Sequence, residues 1–278
     1  MSRAAATAAV LSDRIRRIVI EQSKRANVGH IGSSLSVADI LGTLYSGVLR
    51  GSGPDDPERD RMVLSKGHAS LALYAALHET GMIDADELAS FCGDGSRLGT
   101  HPDHIVAGVD FSTGSLGHGL SLATGSALAA HLAASSRRTF ALMSDAECNE
   151  GSVWEAVMFA AHHRLGNLVV IVDVNGQQAL GYTHEVLDLS PLEQRWDSFG
   201  WDVHTVDGHD HAALRQTIDW LPLGHAKPHV LLAQTVFGHG VSYMEREIRW
   251  HYLPMDDGQY ASALGELSAV EARRGVAA

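Results

Sequence analysis

The stretch MSDAECNEGSVWEAVMFAAHHRLGNLVVIVDVNG, Met143 to Gly176, decides how this chain folds. An apolar run, Phe140-Ala141-Leu142-Met143, ends on Asp145, and a helix-like segment follows from Gly151 to about Leu165. A second apolar run, Leu168 to Val172, ends at Asp173 and Asn175. Strand, helix, strand in this order is a parallel βαβ unit, whose two strand ends lie side by side. Asp145 and Asn175, 30 residues apart (175 − 145), therefore converge from neighbouring strand ends on one hard cation. Carboxylate, amide and backbone oxygens suit Mg²⁺, which keeps positions open for phosphate oxygens. Such a site belongs at the carboxyl edge of an α/β sheet.

Further along the chain the same alternation continues. Leu11, Ile15, Ile18 and Val19 have helical spacing; Ser36-x-x-Asp39 has the form of a capping box before Ile40, Leu41, Leu44 and Val48. Gly51 to Pro57 is turn-rich. Met62-Val63-Leu64 reads as a buried strand, Ala69 to Leu77 and Gly117 to Ala134 as helices. Helices over Ser190–Phe199, Ala212–Leu221 and Gln259–Arg274 alternate with strands over Asp202–Val206 and His229–Val236. The expected fold is one α/β domain over 1–278, three-layered, with a mostly parallel sheet covered by helices on both faces.

A chain of 278 residues, 45% hydrophobic, is long enough for a large buried core. Its net charge of −12, with no basic cluster, argues against nucleic-acid binding. Cys92 and Cys148 form neither a disulfide framework nor a metal spacing, which suits a reducing cytoplasm. The small-residue start is followed at once by Asp13, Arg14, Arg16 and Arg17, unlike a signal peptide, and no apolar run reaches membrane-span length.

Of the 17 histidines, most are expected at the surface or in a second layer without chemistry, among them His78, His131, His162, His163, His204, His209, His211 and His225. Four stand out. His30 lies between glycines in Val28-Gly29-His30-Ile31-Gly32; His68 follows a strand in Ser65-Lys66-Gly67-His68; His101 precedes Pro102; His251 follows Trp250.

The metal motif, with Glu150-Gly151-x-x-Trp154-Glu155-Ala156, Gly166-Asn167-Leu168, the four histidines and Gly114-Ser115-Leu116-Gly117-His118-Gly119, resembles the transketolase branch of the thiamine-diphosphate enzymes. The resemblance runs from about Arg14 to about Leu267 and is to the N-terminal half, encoded separately in two-gene transketolases. It implies a thiamine-diphosphate-binding fold with Asp145, Asn175 and the Gln177 carbonyl on Mg²⁺. It implies cofactor contacts from His68, Gly114, Ser115, Leu116, Asp145, Ala146, Glu147, Asn175 and His251, with His68 and His251 at the diphosphate. His30 and His101 would face a donor sugar, His251 would join them in catalysis, and Glu150 would couple paired sites across a subunit interface.

The glutamate that activates the aminopyrimidine lies, in that family, on a pyrimidine-binding domain, and this chain ends before one begins. The implied partner is a C-terminal subunit of roughly 300 residues carrying the pyrimidine-binding and C-terminal domains, in a heterotetramer active only when assembled. The implied reaction is ketol transfer from a ketose phosphate to an aldose or a specialised acceptor. Ser144 and Ala146 replace two glycines of the usual motif, Phe237 stands where many members carry lysine, and Cys92 where many carry arginine. Two other readings remain open: the α subunit of a 2-oxo-acid dehydrogenase, and a degenerate structural subunit that binds no cofactor.

Overall fold

Strand β2, Thr139–Ser144, is buried along its whole length, and its side chains part to two sides. Phe140 and Leu142 enter one hydrophobic core, Ala141 and Met143 the other. A strand lined on both faces in this way lies between two helical layers. The computed structural model describes residues 3–51, 53–222 and 227–274; His225 lies outside them.

The described strands are β1 (Arg61–Leu64), β2, β3 (Leu168–Val174), β4 (Gln177–Gln178), β5 (Gly181–Tyr182), β6 (Asp202–Asp207) and β7 (His229–Gln234). Five of them form a parallel sheet in the order β1-β2-β3-β7-β6. The small antiparallel pair β4–β5 has no counterpart in the sequence pattern; it is too short for a period of two to show. The first core packs helices Arg3–Ala26, Ala38–Thr43, Ser70–Glu79, His211–Trp220 and Asp257–Arg274 against the sheet. The second packs His118–Leu132, Gly151–His162 and Leu192–Ser198, with Trp196 and Trp201 fully buried. The expected three-layer α/β architecture is the one observed. No helix among the described residues is long and apolar enough to cross a membrane.

One local expectation fails. Ser36 and Asp39 make no capping box: the helix Ala38–Thr43 has no side-chain cap bond. Ser36 Oγ donates instead to Ser33 O (2.9 Å) and to Asp173 Oδ2 (2.8 Å). Asp39 is buried and takes Arg16, His209 (2.7 Å) and His211 (3.1 Å). Long-range partners for a buried carboxylate outweigh a local cap. His209 and His211 are second-layer residues that hold the charge of Asp39 in the interior.

A candidate cofactor site at the carboxyl edge of the sheet

Parallel strands all end at one edge, so the residues after each apolar run meet there. Ser144 at the end of β2 is in register with Asp173 near the end of β3. The loops after β1, β2, β3 and β7 surround a cavity of about 290 Å³. β1 contributes Lys66 and His68; β2 contributes Ser144, Ala146 and, further on, Glu150; β3 contributes Asn175 and Gln177; β7 contributes Phe237. His30, His101, Gly114, Leu116 and His251 close the walls from more distant loops.

Asp145 is buried between the lining residues Ser144 and Ala146 in the chain. Its Oδ1 accepts from Ala146 N–H and its Oδ2 from Gly176 N–H, each at 2.8 Å, which links the ends of β2 and β3. Asn175 donates through Nδ2 to Asp173 (2.7 Å), and its Oδ1 accepts from Gln177 N–H (2.9 Å). Asp145, Asn175 and Gln177 thus lie together, as an oxygen donor set for a hard cation requires. Burial, aided by the charge of Asp173, pushes Asp145 up to about 7. A carboxylate so disfavoured alone gains most from a dication, so the residues fit Mg²⁺.

In the cavity wall, His30, His68 and His251 form a triangle with ring centroids 5.4 to 5.5 Å apart. His30 caps the helix Ile31–Ser36 in a left-handed conformation (φ 60°), and its N–H donates to His251 O (3.3 Å). This backbone bond joins two segments more than 200 residues apart (251 − 30 = 221). Nδ1 of His30 and of His251 are buried without a hydrogen-bond partner. Burial and neighbouring cations lower all three imidazoles: His251 to about 4, His68 well below its ordinary value beside Lys66, and His30 more modestly. Crowded donors with unsatisfied nitrogens and one lysine in the wall fit a diphosphate.

These shifts carry a pH prediction. The folded imidazoles bind protons less readily than unfolded ones near 6.5, so the unfolded chain protonates first as pH falls. Stability of the ligand-free chain is expected to decline from about pH 6.5 down towards 4, and added pyrophosphate to lessen the decline. His251→Phe should flatten the melting temperature's dependence on pH in this range. An unaltered dependence in that variant would show that the triangle does not contribute.

Gly114 (φ 157°) lies against His101, whose ring atoms would sit 3.1 Å from any Cβ placed there. A Cβ placed on Gly67 would come closer still, 2.9 Å from the Gly114 nitrogen. Small residues therefore bring the loop carrying Leu116 to the cavity wall. Ser115 is exposed and lines an adjoining groove with His101, Gly114 and His118 rather than the cavity itself. Glu150 is exposed at the start of the helix Gly151–His162, at the cavity mouth, and makes no cap bond.

Glu147 departs from expectation. Its side chain is fully buried and is not among the residues lining the cavity. It accepts from Ser65 Oγ, from Gly117 N–H (2.8 Å) and from Ser144 N–H (3.4 Å). Its carboxylate ties β1, β2 and the loop before His118–Leu132, so the expected cofactor contact gives way to a framing role. Ala146 lines the cavity, but its N–H is taken by Asp145.

Lys66 is the residue that sequence reasoning passes over. It is fully buried, forms an ion pair with Asp173 and lines the cavity. Its signal is a lysine placed directly between a buried strand and Gly67. Phe237 fills the position of the missing lysine with its ring, stacked at 5.9 Å from His251 and pressed on Gly32. Cys92 is exposed with φ 54° and lines no part of the cavity.

A family model described as transketolase, thiamine diphosphate binding domain, matches residues 7–267. The chain is 39% identical over 260 residues to a protein of Phocaeicola vulgatus named as one of the subunits of an apulose-4-phosphate transketolase, covering 92% of each. It is 37% identical over 256 residues to one of Clostridium sp. named 6-deoxy-6-sulfo-D-fructose transketolase subunit SqwG, covering 91% of this chain and 93% of that one. Among solved structures, transketolase from Campylobacter jejuni is similar with a TM-score of 0.88 and 28% identity, over 96% of this chain and 43% of that one. The chain thus spans nearly the whole of the separate subunits but under half of the single-chain transketolase.

Proposed function

We propose that this chain, which belongs to the transketolase family through its thiamine diphosphate binding domain, is the diphosphate-binding subunit of a two-chain enzyme transferring a two-carbon ketol group from a ketose to an aldose-type acceptor. The observation that carries the reading is the cavity where Asn175 and Gln177 meet three imidazoles, beside a buried Asp145 that accepts from Ala146 and Gly176 N–H. The matches are to transketolase-type subunits, which disfavours a 2-oxo-acid dehydrogenase. The fit of the cavity to metal and diphosphate disfavours a merely structural subunit.

Bound thiamine diphosphate supplies a carbon nucleophile and an electron sink for carbon–carbon cleavage. Asp145, Asn175 and the Gln177 carbonyl would hold Mg²⁺; His68 and His251 would donate to the diphosphate, with Ala146 beside it; Gly114 and Leu116 would lie beside the aminopyrimidine ring, with Ser115 in the adjoining groove. His30 and His101 hold and move protons at the donor's carbonyl and hydroxyl. Glu150 couples this site to its counterpart. Residues 1–278 form one diphosphate-type domain, and the pyrimidine-binding half comes from a partner subunit in a heterotetramer.

The two relatives are named for sugars with different anionic ends, one phosphorylated and one sulfonated. Among the described residues lining the cavity, Lys66 is the only lysine or arginine, and Asp173 holds it. The anionic end of the donor is therefore read by the partner chain.

The test is donor cleavage by this chain mixed with its partner subunit, thiamine diphosphate and Mg²⁺, over a panel of ketose phosphates and sulfonates. Activity is expected in the mixture and in neither chain alone; cleavage by this chain unaided would overturn the two-chain reading. His101→Ala is expected to lower kcat by about 100-fold or more, with cofactor affinity changed only slightly. Normal turnover in that variant would remove His101 from the proton-handling set.

A further inference from the structure

Among the described residues, two groups of three side chains bring potential metal ligands together away from the cofactor cavity. One is Asp39, His209 and His239. There the Arg16 guanidinium already holds Asp39, and His209 uses both ring nitrogens, on Asp39 (2.7 Å) and on Val236 N–H (2.9 Å). A dication would have to displace an arginine. The other group, Asp202, His204 and His229, has no lysine or arginine on its carboxylate among the described residues.

The parallel pairing of β6 with β7 sets Asp202 beside His229, and His204 follows two residues along the same face. His204 Nε2 and His229 Nδ1 each approach Asp202 Oδ2 to 3.2 Å. The three donor atoms all lie within 4.8 Å of one another. A tetrahedral centre with bonds of about 2.0–2.1 Å needs donors about 3.3 Å apart, so two of the three edges already have the required length. Two imidazole nitrogens and one carboxylate oxygen suit Zn²⁺, Co²⁺ or Ni²⁺ and are a poor set for Mg²⁺. His229 is buried, whereas the side chains of Asp202 and His204 are about a third exposed, at 36% and 34%. Solvent therefore has a path in and can supply the remaining position.

We propose that Asp202, His204 and His229 form a second metal site, specific for transition metals, that clips the edge strand β6 to β7. The site sits at the amino ends of these strands. The cofactor cavity lies at the carboxyl edge, about 20 Å away across a six-residue strand. The bound ion is thus a fastener of the sheet edge rather than part of the reaction.

The experiment is a Co²⁺ titration of the full chain, first saturated with Mg²⁺ and thiamine diphosphate so that the cavity histidines are occupied. Visible absorption reports coordination geometry, and Zn²⁺ is added afterwards as a competitor. One Co²⁺ per chain with a low-symmetry spectrum is expected, displaced by Zn²⁺. His204→Ala and Asp202→Asn should each weaken binding at least tenfold, while His239→Ala leaves it unchanged. Both weakened variants alter partly exposed side chains, and unchanged circular dichroism establishes that they fold. No Co²⁺ uptake by the unmodified chain, or uptake that survives both substitutions, would overturn the proposal.

Discussion

Asp145→Ala abolishes Mg²⁺-dependent binding of thiamine diphosphate and leaves the sheet intact: that is the expected result. Asp145 is the buried carboxylate beside Asn175 and Gln177, and the one carboxylate among the cavity's described lining residues, Glu150, is exposed at the mouth. Loss even of an outer partner to a metal ligand costs 10- to 100-fold in affinity, so loss of the ligand itself should cost more than about 100-fold. The core does not depend on it. β2 and β3 keep their register through six paired positions. The measurement is calorimetric titration with cofactor, with and without Mg²⁺, beside far-ultraviolet circular dichroism. Unchanged Mg²⁺-dependent affinity in a folded variant would sink the metal assignment.

Lys66→Met should produce the largest loss of stability. The Lys66 ammonium and the Asp173 carboxylate are both fully buried. Burial opposes the charge of Asp173, but Lys66, with donors from Thr235 and Ser36, more than offsets this and holds it below the usual carboxylate range. Removing the lysine leaves an uncompensated buried charge, a change worth about 3–5 kcal/mol. At about 2–4 °C per kcal/mol for a chain of this class, the melting temperature should fall by roughly 10 °C. Lys66→Met combined with Asp173→Asn should regain much of that loss, because the charge is removed with its partner. A single variant that melts like the unmodified chain would show that water or another cation reaches Asp173. The same variant should bind diphosphate more weakly, since Lys66 is the one lysine or arginine among the described residues of the wall.

The strand ends are legible because β2 and β3 are local apolar runs, and a parallel βαβ unit leaves one way for their ends to meet. That alone brings Asp145 and Asn175 together. The four histidines are legible only through resemblance, because nothing in the spacing of His30, His68, His101 and His251 says that they converge. Glu147 is misjudged for a physical reason: it stands next to Ala146 on a tight 3₁₀ turn, so adjacent side chains point in different directions. One lines the cavity and the other goes into the frame.

The capping box at Ser36 fails for a related reason. A local motif competes with distant partners, and sequence spacing does not reveal them. Ser36 finds Asp173 across 137 positions and Lys66 finds it across 107. Ser65 reaches Glu147 across 82.

The sequence by itself determined the α/β class, the succession of strands along the chain and the sheet edge at which Asp145 and Asn175 meet. Each of these follows from periodicity and from where an apolar run stops. Only the tertiary structure decided that Lys66 is a buried wall residue, that three imidazoles pack as a triangle, and that Asp202, His204 and His229 share one point on a strand edge. Those facts depend on the relative placement of segments far apart in the chain, which packing determines and local pattern does not encode.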